Sequence, residues 1–70
     1  MNERLPPLQG LYYFQIAAKL GSFKIAAETL FVTAAAVSQQ IRQLEDTLGV
    51  ELFIRQHRKV VLTLEGHLLF

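Results

Sequence analysis

Ala35, Ser38, Gln39 and Arg42 share a spacing that gathers them on one side of a helix. The placement follows from the aliphatic residues between them. Val37, Ile41, Leu44 and Leu48 recur at i, i+4, i+7 and i+11, the stripe that sinks an amphipathic helix into a protein body. At about 100° per residue, burying that stripe turns Ala35, Gln39, Arg42 and Asp46 outward and leaves Ser38 and Gln43 on the flanks. These side-chain types suit base edges and phosphates. A Gln amide bonds adenine in a bidentate way, an Arg fork reaches guanine or phosphate, and a good base contact is worth about 1–3 kcal/mol of discrimination. A plain solvated helix face has the same composition, because Gln and Arg are common on exposed helices.

A second group is basic. Arg55, Arg58 and Lys59 fall within five consecutive positions and make up three of the seven Lys and Arg residues. At a loop tip they could enter a minor groove or grip phosphates; a charged loop that only keeps the chain soluble reads the same way. The acids Glu45, Asp46 and Glu51 lie just upstream, and the net charge is only +1, so any attraction to nucleic acid must come from where the cations sit.

Other chemistry finds little support. His57 and His67 stand ten residues apart, with no Cys and no paired acid at ligand spacing, so no metal or other cofactor is expected. Glu45 and Asp46 read as a solvated helix end, and Glu65 as an acid placed well for the dipole of a helix start. There is no Gly-rich phosphate loop and no Ser/His/Asp arrangement, and the expected body is too small for a buried substrate pocket. No enzyme is therefore expected. The aromatics Phe14, Phe23, Phe31 and Phe53 read mostly as core rather than as stacking platforms for bases; Tyr12 and Tyr13 are left unassigned between the two.

The elements that must hold these groups can be read from caps and periodicity. A helix over Leu8–Leu20 is entered through Pro6-Pro7 and closed by Gly21, with Leu11, Phe14 and Ala18 facing inward. Tyr12, Ile16 and Leu20 form a second apolar stripe on it, available to something beyond the small core. Ser22 caps a second helix of about two turns carrying Phe23, Ala26, Ala27 and Leu30. Thr33 caps the third, and Gly49 ends it. Two short helices joined by a few residues have helix-turn-helix geometry, although the usual turn glycine is missing. Beyond them, residues 53–62 resemble a two-stranded hairpin without an Asn-Gly or Asp-Gly turn to pin it. Thr63 then caps a last helix that runs into the apolar Leu68, Leu69 and Phe70.

These pieces compose a mainly α, winged helix-turn-helix domain: a three-helix core, a two-stranded β wing and the start of one more helix. Residues 1–62 are expected to form the domain and residues 63–70 the truncated helix after it. No apolar run approaches the roughly 20 residues of a membrane span, and the N-terminus lacks a secretory signal. With no cysteine present, a cytoplasmic protein is expected.

In order, the motifs GSF before AAETL, then AAVSQQIRQLEDTLGVELF, then R..RKVVLT.EG resemble the DNA-binding domain of LysR-type transcription regulators. The LPPL opening and FVTAAAVS turn look closest to the subgroup that holds glycine-cleavage activators and some β-lactamase regulators. The resemblance implies operator recognition on double-stranded DNA, with the third helix in the major groove and the wing on the backbone or in the minor groove. It also implies that residues 63–70 begin a linker helix, with homodimers paired through it and tetramers at full length. Carried over by position, Thr33, Ala34, Ala35, Ser38, Gln39, Arg42 and the flanking Gln43 face DNA, together with Ser22 at the second helix and Arg55, Arg58 and Lys59 on the wing. One departure matters. Many relatives have Gln after the capping residue, whereas Ala34 offers no hydrogen-bonding group, so reading there would fall to thymine methyl contact or groove shape. The alternative from another class is a winged-helix module that binds protein through the same helix face.

Overall fold

The computed structural model describes residues 8–56 and 59–70. The expected Pro6-Pro7 helix entry, the wing role given to Arg58, and His57 lie outside the described residues. Helices α1 (Leu8–Leu20), α2 (Phe23–Leu30) and α3 (Ala34–Leu48) are followed by strands β1 (Phe53–Gln56) and β2 (Lys59–Leu62) and by helix α4 (Leu64–Leu69). The three-helix core, the two-stranded wing and the final helix are as expected. Among the described residues, no helix is long and apolar enough to cross a membrane.

Local signals set the helix ends. The Ser22 hydroxyl accepts the Ile25 N–H at 3.1 Å, and the Thr33 hydroxyl accepts that of Ala36 at 3.0 Å, each satisfying a donor that the helix start leaves orphaned. Gly49, at φ 75°, ends α3. The turn between α2 and α3 works without glycine. Phe31 takes the left-handed conformation itself, at φ 60° and ψ 42°. The Val32 N–H then closes back on the Ala27 carbonyl at 3.0 Å, the bond of a Schellman ending.

Phe14, Val37, Ile41, Leu44 and Leu52 are the largest fully buried side chains, each contributing roughly 1.5–3 kcal/mol by leaving water. Around Phe14 the core is aromatic. Its ring stands 5.5 Å from that of Phe53 and 6.2 Å from that of Phe70, so α1, the wing and the end of α4 meet there.

Two expectations for aromatic and apolar faces need correction. The inward line of α1 is Gly10, Tyr13, Phe14 and Ala17, while Leu11 and Ala18 are only partly buried. The helix is turned by about one position from the expected stripe, because α2 and α3 pack on the side where Ala17 allows close approach. Tyr13 is therefore core and Tyr12 is exposed. Phe31 is also no core residue: its ring is 94% exposed, since the left-handed turn points it away from the body.

The hairpin is antiparallel, with Phe53 opposite Leu62 and Arg55 opposite Val60. Phe53 and Val60 are its buried side chains. A bond from the Val60 N–H to the Gly21 carbonyl at 3.3 Å ties β2 to the turn between α1 and α2.

Candidate nucleic-acid interface

Helix α3 is amphipathic in the expected sense: Val37, Ile41 and Leu44 are fully buried, whereas Ala34, Ala35, Gln39, Arg42 and Gln43 are exposed and Ser38 is half-buried. Five of the expected residues, Ala35, Ser38, Gln39, Arg42 and Gln43, line one open concavity together with Asp46. Thr33 and Ala34 stand exposed at the start of the helix. The Thr33 and Ser22 hydroxyls accept backbone N–H groups as caps, which leaves each O–H available to donate.

The basic group is arranged differently from a free loop tip. Arg55 lies back against the body. Its Nη2 is 3.9 Å from Glu45 Oε1, and its guanidinium carbon sits 5.2 Å from the centroid of the Phe23 ring, within range of a cation–π contact. Lys59 is exposed on the facing strand. Arg58 lies outside the described residues.

Glu45 corrects the sequence reading most clearly. Expected as part of a solvated helix end with Asp46, it is 8% exposed. Its Oε2 accepts the N–H groups of Leu52 at 2.8 Å and Phe53 at 3.3 Å. The chain turns back after Gly49 and presents those donors to it, so a side chain that looked solvated is spent inside the fold. Asp46, one residue on, remains exposed.

The grooves join into one surface. Arg42 borders both the concavity along α3 and the groove between α3 and the wing. Arg55 borders that second groove and a third, of about 800 Å³, between the wing and the start of α2. The third groove carries Lys24 and Gln56 beside Ser22 and Lys59. Sequence reasoning missed Lys24 and Gln56. The signal for Lys24 was its place as a cation just inside the Ser22 cap; nothing in the sequence pattern singles out Gln56. The whole surface offers hydrogen-bonding amides, hydroxyls and cations over a length set by one helix and one hairpin, which is chemistry for base edges and phosphates.

Comparison with known proteins agrees with this geometry. The chain is 56% identical over all 70 residues to the glycine cleavage system transcriptional activator of Escherichia coli (strain K12). It spans 23% of that relative's length. The solved complex of CbnR_DBD with DNA superposes with a TM-score of 0.86 at 37% identity, covering 89% of this chain and 71% of the other. The complex of BenM_DBD with catB site 1 DNA gives 0.84 at 38% identity, covering 90% and 70%. Residues 8–67 match the family described as bacterial regulatory helix-turn-helix protein, lysR family, and the chain belongs to that family.

Proposed function

We propose that this chain is the operator-binding domain of a bacterial transcription regulator, engaging duplex DNA with α3 in the major groove and the β1–β2 wing against the backbone or the minor groove. The observation that carries the proposal is the division of α3: its aliphatic side is buried while Ala35, Gln39 and Arg42 stand exposed beside the wing. The similar CbnR_DBD and BenM_DBD structures, both complexes with DNA, support it. Within it, Gln39 and Arg42 read base edges, with Ser38 and Gln43 beside them. Thr33 and Ser22 donate to phosphate, and Lys59, Arg58 and Arg55 serve the wing. Ala34 presents only a methyl group, which suits contact with thymine. Residues 63–70 begin the linker helix of a homodimer, in a protein that works where the chromosome is, the bacterial cytoplasm.

The test is a binding selection on random duplexes, followed by titrations at several salt concentrations. A recurring motif is expected. Arg42→Ala and Lys59→Ala should each weaken binding, and each lost phosphate contact should make the salt dependence shallower by about one. Absence of any selected motif, or unchanged affinity and slope in both variants, would return α3 to a surface for a protein partner.

A further inference from the structure

Glu45 belongs to the helix proposed to read bases, yet its carboxylate faces away from the reading surface. It is the acid that α3 buries. Its Oε2 receives the two N–H groups of Leu52 and Phe53, where the wing begins, and its Oε1 meets Arg55 two residues further on. The Leu52 peptide is held from its other side as well. Its carbonyl accepts the Thr63 N–H at 3.0 Å, and a Cβ on Gly66 would overlap that same oxygen. One peptide unit thus joins three elements: α3 through Glu45, the wing through β1, and α4 through Thr63 and Gly66.

The wing needs such a joint. A two-stranded hairpin is marginal in water by itself, and here only Phe53 and Val60 are buried among its described side chains. Carboxylate-to-amide bonds are roughly twice as strong as neutral ones, and two of them plus a cation answer the cost of burying the charge. Because the carboxylate rides on α3, the position of the wing is referred to the reading helix and not merely to the core. We infer that Glu45 is a positioning residue for DNA binding, which holds the wing and the start of α4 in register with the reading face of α3. This inference rests on the DNA-binding function proposed above.

The charge of Glu45 gives the test its sign. If the carboxylate acted only as a negative charge near phosphate, Glu45→Gln would tighten DNA binding. A positioning role requires the reverse: about tenfold weaker binding, with a salt dependence shallower by about one for each wing phosphate lost and the base preference set by α3 retained. Glu45→Asp keeps the charge but is one methylene too short to reach Leu52, and it should behave in the same way. In both variants, checked as folded by circular dichroism, amide exchange at Leu52 and Phe53 should quicken by about tenfold while that of Ile41 and Leu44 holds. Variants that bind as tightly as the parent, or that keep the parent's wing protection, would overturn the assignment. A parent chain that binds no duplex would overturn the DNA reading itself, a result plainly distinct from variants that match a binding parent.

Discussion

At Phe31 the backbone turns left-handed, with φ 60° and ψ 42°, and the ring has almost no protein around it. A left-handed conformation costs an ordinary L-residue roughly 1–2 kcal/mol, and Asn tolerates it better than Phe because its short polar chain bonds locally. Nothing is lost by way of burial. Phe31→Asn should therefore stabilise the domain by about 0.5–1 kcal/mol, read as a higher midpoint in urea unfolding with unchanged slope. A lower midpoint would mean that the ring has apolar contacts in solution which its exposure here denies. The missing turn glycine was legible in the sequence; that Phe31 would take its conformation was not, since nothing in a single residue type announces a strained φ. Glu45 shows a related limit. Its acceptors meet backbone donors seven and eight positions away, and a backbone N–H has no sequence signature, so the side chain looked like one half of a solvated acidic pair.

Elements were more legible than residues because their ends are written locally. Ser22, Thr33 and Thr63 each cap the helix that follows, with the hydroxyl accepting the N–H three residues on, and Gly49 ends α3 as expected. Caps depend on neighbours in sequence, and the long aliphatic stripe of α3 leaves one choice of buried side. Helix α1 offered two adjacent stripes instead, and packing against α2 and α3 buries a line that coincides with neither: Gly10, Tyr13, Phe14 and Ala17. That is why Tyr13 is core and Tyr12 is not. The cap at Thr33 yields a prediction on its own scale. Thr33→Ala removes the acceptor for the Ala36 N–H and should cost about 1 kcal/mol, while Thr33→Ser should retain most of it. Hydrogen exchange should show faster opening of the first turn of α3 in the Ala variant alone. Equal protection in both would mean that solvent satisfies the Ala36 N–H as well as the hydroxyl does.

The whole molecule carries a net charge of only +1, so its long-range attraction to DNA is weak and affinity must be built from local contacts or from pairing two copies. Its apolar surface favours the second route. Leu8, Tyr12 and Leu20 are exposed along α1, and Leu64, Leu68 and Phe70 along and just beyond α4. Single exposed apolar residues are ordinary, but a contiguous apolar face marks an interaction surface. The Phe70 ring meets the fully buried Phe14, which sets the end of α4 against α1, while Leu8, Tyr12 and Leu20 face solvent on the other side of that helix. A chain continued along α4 should form dimers at micromolar concentration by analytical ultracentrifugation, burying these exposed apolar side chains against a second copy. Tyr12→Glu combined with Leu68→Glu would place charges in that contact and should shift the species to monomer, because an unpaired carboxylate is costly to bury. DNA binding should fall with it, since a monomer loses the gain of engaging two half-sites at once, while the base preference of α3 stays the same. A dimer that survives both substitutions would assign self-association to surfaces other than α1 and α4.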